Sequence, residues 1–463
     1  MNRDIKHKCG IFGIFKIGGS GKDTIRETIK GLDSLQHRGR ESGGISYVNN
    51  KNELCVYKNI GLIKEIFKDK QFPDGSNTIS CIGHTRYSTT GKKNYNTLED
   101  RLRTVQPLLG EIALVHNGNI PNVRKIEMKL GLSLKTDSDS ELFIQYINKL
   151  GDCLTLEEKL IEIVNNIPGV YSLIIQTTNA LYAIKDRYGV HPLCLAMKDS
   201  KYCLSSESTY IANCDFVREI NAGEILKIDK NGLTDIYQRD SDLVSPAFCL
   251  FEIIYFMKHT SIIYGKNVDT YRYKFGYKLG KIEKRKFSKN IVVAAIPNTA
   301  IPSAKGYAAA TGLKYASLFE KRKGTGRTFI LPTNTQRYNT NRVGLKIKDD
   351  VDIEGIKSVI LVDDSLVRGN TIRTIIEKLK EFGVEEIHLR IPSPPIKSQC
   401  YYGIDIPTKE ELIANGRTEE EIAEVLGIAS VKYLEYEIMS KMFGGTVCGC
   451  CFTGKYDKSL LDF

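Results

Sequence analysis

Two adjacent carboxylates, Asp363 and Asp364, follow four apolar residues in VILVDDSLVRGNT, residues 359–371. A small polar turn containing Gly369 comes next, and then TIRTIIEKLKEFG, in which Ile372, Ile375, Ile376, Leu379 and Phe382 recur at helical spacing. The pattern predicts a buried strand, a loop and a helix start. The first amides of a helix have no partner inside it and its dipole favours negative charge there, so Ser365, Arg368, Gly369, Asn370 and Thr371 make an anion site suited to phosphate. Paired carboxylates at the carboxyl end of such a strand, where open α/β sheets bind ligands, can hold ribose hydroxyls or a hard cation such as magnesium. A bare DD reads as a solvated acidic turn; the agreement of apolar run, acid pair, glycine and helix start argues otherwise.

A thiol near the front offers different chemistry. Cys9 opens the strand-like run CGIFGIFKI. Removal of residues 1–8 would leave Cys9 with a free α-amine of pKa ~8 beside a thiol of pKa ~8.5, so the amine can serve as base for its own neighbour. One residue then supplies nucleophile and base. Taken alone, the same cysteine reads as a buried strand thiol.

Later segments change that weighting. HRGRESGGI (37–45), GHTRYSTTG (83–91), LVHNGNI (114–120) and KTDSDSELF (135–143) are dense in Arg, Asn, Gly and Asp at strand ends and turns. With CGIFGI, and in this order, they resemble the glutaminase domain of the N-terminal-nucleophile amidotransferases. The resemblance implies that Cys9 is the nucleophile and that the Asn117 side-chain amide and the Gly118 N–H form the oxyanion hole, whose donors are worth about 3 kcal/mol each when preorganised. It also implies Arg86 for the glutamine α-carboxylate, Asp139 for its α-ammonium, Thr89 close by, and His37 and Arg38 in a segment that helps close the pocket. Ser88 stands where many relatives carry proline.

The elements behind these groups are short. VYSLIIQTTNALYAIKDRYGVHPLCLA, CLSSES and GEILKID read as strands with hairpin turns, matching the layered antiparallel sheets of that fold, with the domain ending near Asp240. No Gly/Ser-rich or Pro-rich linker follows. FCLFEIIYFMKHTSIIYG (248–265) resembles the family segment that joins the domains, with Ser261 and Arg272 at matching positions.

In the second half VILVDDSLVRGNT resembles the binding signature of the phosphoribosyltransferases for 5-phosphoribosyl-1-pyrophosphate (PRPP). IVVAAIPNTAIPSAKGYA (291–308) is a further strand, turn and helix; Asn298 replaces an acidic residue of the relatives, while Thr299 keeps a hydroxyl for magnesium or pyrophosphate. Residues 321–346, KRKGTGRTFILPTNTQRYNTNRVGLK, turn basic. A basic flap can close on pyrophosphate and expel water. Arg327 and Lys346 are its expected PRPP ligands, with Gln336, Arg337 and Arg342 in the pattern the family shows. EEIHLRIPSPP is expected to be the neighbouring parallel strand, reached by a right-handed crossover.

The chain carries twelve cysteines. Cys55, Cys81, Cys153, Cys194, Cys203 and Cys214 stand singly among apolar neighbours and read as core thiols. Cys448 and Cys451 form a C-x-x-C that, with Cys249 and Cys400, would make a four-thiolate site for zinc or iron–sulfur; spacing does not choose between them. The surrounding words resemble the iron–sulfur branch of the amidophosphoribosyltransferases, which implies a 4Fe–4S cluster on those four thiols and leaves Cys450 as an extra one.

At 463 residues the chain holds about two or three domains. Its formal net charge of +11 suits an anionic substrate, and no long run of like charge favours nucleic acid. With no signal-peptide pattern and no stretch near the ~20 apolar residues of a membrane span, a cytoplasmic location is expected. The expected architecture is an α+β N-terminal-nucleophile glutaminase sandwich followed by an α/β phosphoribosyltransferase domain with a parallel sheet: residues 1–8 a propeptide, 9–240 the glutaminase, 241–463 the phosphoribosyltransferase with a cluster-binding end.

The family resemblance implies the first committed step of de novo purine synthesis. Cys9 attacks glutamine, ammonia leaves, and ammonia displaces pyrophosphate from C1 of PRPP to give 5-phosphoribosylamine. Magnesium would sit with Thr299, Asp363 and Asp364; purine nucleotides would inhibit; the assembly would be a homotetramer. Other readings are a glutaminase-linked sugar-phosphate synthase such as glucosamine-6-phosphate synthase, which would lack VDDSLVRGNT, a phosphoribosyltransferase-fold nucleic-acid regulator, and a redox sensor, which has no need of Asn117, Arg86 and Asp139.

Overall fold

Alternation along CGIFGIFK sets the first layer. The strand Cys9–Lys16 turns Ile11 and Phe15 to one face and Phe12 and Ile14 to the other, and both faces are buried. The computed structural model describes residues 9–18, 23–87, 97–210, 214–288, 290–321, 345–348 and 355–457. Among these, the first strand lies inside a seven-stranded antiparallel sheet whose spatial order is Asp215–Glu219, Cys194–Lys198, Lys201–Ser205, Cys9–Lys16, Ser80–Arg86, Ser42–Val48, Leu54–Ile60.

A six-stranded antiparallel sheet runs Gly232–Gln238, Glu224–Asp229, Ala180–Lys185, Val170–Gln176, Ala113–Asn119, Leu108–Leu109. The two sheets pack through Ile11, Phe15 and Ile82 of the first and Val115, Ile174 and Leu226 of the second. Helices cover the outer faces. Thr24–Ser34 sets Ile25 and Leu32 against Phe12 and Ile14, while Glu141–Lys149 and Leu156–Asn166 set Phe143, Leu160 and Ile163 against Leu114 and Leu173. This is the expected α+β sandwich.

The chain divides into two compact units: Met1–Phe248 with Cys400–Asp405 and Tyr456–Phe463, and Cys249–Gln399 with Ile406–Lys455. The first continues past residue 240 because the amides of Ser245 and Ala247 donate to the carbonyls of Arg187 and Tyr188 at 3.0 and 2.8 Å. The distant segment joins it through Asn119 Nδ2, which donates to the Tyr401 carbonyl at 2.8 Å, and through His191 Nε2, 2.7 Å from the Tyr402 carbonyl. No spacing rule foretells that return. The expectation of six core thiols needs correction: Cys81, Cys194 and Cys203 are buried, Cys55 and Cys214 half-buried, and Cys153 exposed. Cys153 lies in the turn between Glu141–Lys149 and Leu156–Asn166, where apolar neighbours in sequence do not become neighbours in a core.

The second unit is built on five parallel strands in the order Lys314–Ala316, Val292–Ala295, Ser358–Val362, Glu386–Ile391, Ser430–Tyr433. Strands covered on both faces are continuous apolar runs, as in VVAA and VILV. The helix Asn370–Glu381 turns Ile372, Ile375, Ile376 and Leu379 inward, whereas Phe382 forms its C-cap and is exposed. Arg272, buried, donates from Nε and Nη2 to the carbonyls of Ile253 and Met257 at 2.9 and 2.8 Å. The basic stretch begins and ends in a short hairpin, Phe319–Lys321 with Leu345–Ile347. Arg327, Gln336, Arg337 and Arg342 lie outside the described residues, as do Ser88 and Thr89.

Candidate active sites of the two units

Cys9 begins its strand directly opposite Arg86 in the antiparallel register, so strand pairing alone sets the thiol-bearing residue across from the guanidinium-bearing one. Arg38 Nε donates to the Cys9 carbonyl at 2.9 Å, and its Nη1 donates to Glu207 Oε1 at 2.7 Å. The same oxygen lies 2.7 Å from His37 Nε2. Glu207, fully buried, was not singled out from the sequence; the signal there was an acid directly after the strand-like CLSS. Burial pushes the Cys9 thiol up to about 12, against the pull of a hydrogen bond from the Tyr87 backbone and of the Arg86 charge, while Asp139 adds to the rise and Arg38 opposes it. At neutral pH the sulfur is a thiol and needs a base.

Asn117 and Gly118 lie near the end of the strand Ala113–Asn119, in the sheet packed against that of Cys9. The Asn117 Nδ2 is buried and has no acceptor among the described residues. An unsatisfied buried donor costs ~1–3 kcal/mol, which is reasonable where an acceptor forms only during reaction. A Cβ on Gly118 would stand 2.2 Å from the Val170 carbonyl oxygen, so the main chain reaches this position only without a side chain.

Asp139 is held beside that strand, its Oδ2 accepting from the Ile120 N–H at 3.1 Å. His116 Nδ1 lies 3.8 Å from Asp139 Oδ1 and 2.9 Å from Ser140 Oγ. Burial lowers the His116 pKa despite the Asp139 charge, so the ring is neutral. Gln106, a second residue that sequence reasoning passed over, accepts the His116 main-chain N–H on Oε1 at 2.6 Å and donates from Nε2 to Ser140 Oγ at 2.9 Å.

In the second unit the acid pair stands at the carboxyl end of Ser358–Val362. The Asp363 N–H donates to the Arg390 carbonyl at 3.2 Å, extending the ladder by one bond. The Asp364 N–H donates to Asp363 Oδ1 at 2.9 Å, Ser365 Oγ donates to Asp364 Oδ1 at 2.7 Å, and Thr299 Oγ1 donates to Asp364 Oδ2. Thr299 comes from the turn after the neighbouring strand Val292–Ala295, so two carboxyl ends of one sheet meet here. Gly369 caps the helix at φ 80°, which glycine adopts without penalty, and Asn370 and Thr371 form the first turn. Arg368 Nε pairs with Glu411 Oε2 at 2.8 Å, and Lys346 Nζ with Glu320 Oε1 at 2.9 Å on the hairpin.

Among the described residues no three His, Cys, Asp or Glu side chains gather into a group able to hold a metal ion. Thr299, Asp363 and Asp364 nonetheless offer the oxygen donors that a hard cation takes. Cys448 Sγ lies 3.5 Å from Cys450 Sγ, and the Cys451 carbonyl accepts the amides of Lys397 and Ser398 at 3.0 Å each. The Phe251 and Phe452 rings stand 6.2 Å apart. Within the second unit, the segments carrying Cys249 and Cys451 are thus neighbours, and Cys451 is bonded to the stretch just ahead of Cys400.

Comparison with known proteins matches a glutamine amidotransferase domain to residues 96–213 and a phosphoribosyl transferase domain to residues 278–392. The chain is 37% identical over 472 residues to the amidophosphoribosyltransferase of Methanocaldococcus jannaschii, covering 97% of each. It is 34% identical to that of Bacillus subtilis, covering 99% of this chain and 96% of the relative. Its fold matches the solved B. subtilis glutamine PRPP amidotransferase in complex with ADP and GMP at a TM-score of 0.82, with 32% identity and 97% coverage of both chains.

Proposed function

The chain belongs to the amidophosphoribosyltransferases, enzymes that carry out glutamine-dependent amidotransfer to PRPP in purine biosynthesis, and on that premise we propose how its residues divide the work. With residues 1–8 removed, the α-amine of Cys9 takes the thiol proton as Sγ attacks the glutamine amide carbon. Asn117 Nδ2 and the Gly118 N–H receive the oxyanion. Collapse of the tetrahedral intermediate breaks the C–N bond, the amine returns its proton to the leaving nitrogen, and water hydrolyses the thioester to glutamate. Arg86 holds the substrate α-carboxylate and Asp139 its α-ammonium, Thr89 is a further glutamine-binding residue, and Arg38 holds the Cys9 carbonyl.

In the second unit Ser365, Arg368, Gly369, Asn370 and Thr371 take a phosphate of PRPP at the helix start, and Asp363 and Asp364 take ribose hydroxyls. Arg327 and Lys346 neutralise the departing pyrophosphate. Ammonia attacks C1 as the C1–O bond to pyrophosphate breaks, the pyrophosphate leaves with the electron pair, and the new C1–ammonium loses a proton to give the amine. Thr299, Asp363 and Asp364 would hold magnesium, which when bound offsets pyrophosphate charge.

The four thiols of Cys249, Cys400, Cys448 and Cys451 are the soft donors that a 4Fe–4S cluster takes. Such a cluster, when bound, cross-links chain segments through Fe–S bonds. Inhibition by purine nucleotides is supported by the ADP and GMP bound to the B. subtilis relative. A homotetramer and a cytoplasmic location complete the reading; among the described residues no helix is long and apolar enough to cross a membrane.

The observation that carries the glutaminase assignment is the buried Asn117 Nδ2, which has no acceptor among the described residues. Intact mass and iron analysis of anaerobically purified protein test the reading together: a chain starting at Cys9 with about four iron is expected. A mature chain that keeps residues 1–8 and still turns over glutamine sinks the proposed base, and a zinc-loaded, colourless protein sinks the cluster.

A further inference from the structure

We infer that Gln106 is a positioning residue for the glutamine half-reaction, joining the oxyanion donor to the group that holds the substrate amine. The inference rests on the roles proposed for Asn117 and Asp139. Among the described residues, the strand Ala113–Asn119 has a neighbour on its outer edge only at Leu108–Leu109, in the register Leu108↔Leu114 and Leu109↔Ala113. Continued by two residues, that register sets residue 106 opposite residue 116. Pro107 has no N–H to extend the ladder, and the strand partner ends.

The Gln106 side chain replaces the missing strand. Its Oε1 takes the His116 N–H at 2.6 Å, which fixes the residue immediately before Asn117. Its Nε2 donates at 2.9 Å to Ser140 Oγ, the residue immediately after Asp139. Ser140 Oγ closes the network, 2.9 Å from His116 Nδ1 and 3.4 Å from Asp139 Oδ1. Gln106, His116 and Ser140 are all buried, so these bonds do not exchange readily with water.

Flanking residues reach the third substrate group. Thr104 Oγ1 accepts from Arg86 Nη1 at 2.6 Å, and Lys58 Nζ donates to the carbonyls of Val105 and Pro107 at 2.6 and 3.3 Å. The four residues 104–107 therefore touch Arg86 directly and Asn117 and Asp139 through their chain neighbours. Glutamine presents its α-carboxylate, α-ammonium and amide at separations set by its own bonds. A site that matches all three needs their partners fixed relative to one another to within about 0.5 Å, and Gln106, with Ser140, is bonded to both sides of that arrangement.

The test compares Gln106→Met, similar in shape but without either bond, with Gln106→Glu, which keeps the acceptor for His116 and loses the donor to Ser140. Working sites are counted with a diazoketone analogue of glutamine, which alkylates the nucleophile with loss of dinitrogen. Per counted site, Gln106→Met is expected to lower glutamine-dependent kcat about 10- to 100-fold, with a smaller rise in KM for glutamine, because the oxyanion donor acts in the transition state. Gln106→Glu recovers part of the loss. Synthesis from ammonia and PRPP in the same samples stays at the level of the unsubstituted protein. Unchanged kcat per counted site in Gln106→Met, or an equal fall in the ammonia reaction, overturns the inference. Absence of glutamine turnover in the unsubstituted protein overturns both it and the reading of Cys9.

Discussion

Glu207 Oε1 lies 2.7 Å from both Arg38 Nη1 and His37 Nε2, so one buried carboxylate holds down the segment whose arginine also binds the Cys9 carbonyl. Removing one member of a buried ion pair leaves the other charge uncompensated, at a cost of about 3–5 kcal/mol. Glu207→Gln is expected to lower the unfolding free energy of the protein by an amount of that order and to slow glutamine hydrolysis. An unshifted urea midpoint would contradict the account.

The Cys9 thiol carries a pH dependence whose sign follows from burial. Its pKa in the folded chain, about 12, lies above the ~8.5 of an unfolded cysteine. The folded state therefore holds this proton more tightly; the resulting stability is fully present below about pH 8.5 and is lost as pH rises toward 12. Cys9→Ala should flatten that alkaline limb in pH-dependent denaturation. In the processed enzyme, kcat/KM for glutamine should rise near the ~8 of an α-amine. A limb near the thiol value would mean that sulfur ionises without the amine.

Cys9→Ala also separates the two half-reactions. Glutamine-dependent synthesis should disappear while synthesis from high ammonia remains, as measured by pyrophosphate release. Equal loss of both would refute the division of labour.

Asp364 accepts from both Thr299 and Ser365, and so anchors two strand ends of the parallel sheet. Asp364→Asn should lower PRPP-dependent synthesis about 10²- to 10³-fold with either nitrogen source, the scale of one lost electrostatic contact in an active site. Glutaminase activity should persist. Thr299→Val, which removes one hydroxyl, should act mainly on KM for PRPP. Full ammonia-dependent rates in Asp364→Asn would remove these residues from the site.

Gly118→Ala would place a carbon 2.2 Å from the Val170 carbonyl oxygen, so the strand must move. The expected result is a loss of about 1–3 kcal/mol in stability from overpacking and a fall in glutamine-dependent kcat with the ammonia reaction retained. Wild-type glutamine kinetics in this variant would mean that the Gly118 N–H is not an oxyanion donor.

Local chemistry in the sequence was enough to find the parallel sheet and its acid-pair loop, because VILV, DD and the 3.6-residue spacing after Gly369 act within a few residues of one another. The apolar run in CGIFGIFK likewise read as a strand. Phe382 keeps the helical spacing yet forms the C-cap and is exposed, because spacing carries no information about where a helix stops. Cys153 was exposed because apolar neighbours in a turn have no core to join. Glu207 and Gln106 were missed because each acts on residues it meets only after strands from separate parts of the chain have paired.

What the amino-acid sequence determined by itself was the inventory and its order: a cysteine ahead of HRGR, TRYS, HNG and TDSDS, and an acid pair running into a helix start. Those features arise from residue type and short-range spacing, which the chain carries before it folds. Only the tertiary structure decided that Arg86 stands across from Cys9, that Glu207 neutralises Arg38, and that the Gln106 carboxamide substitutes for a strand beside His116. Antiparallel register and burial are properties of the packed sheets, and they bring together residues that share no local signal.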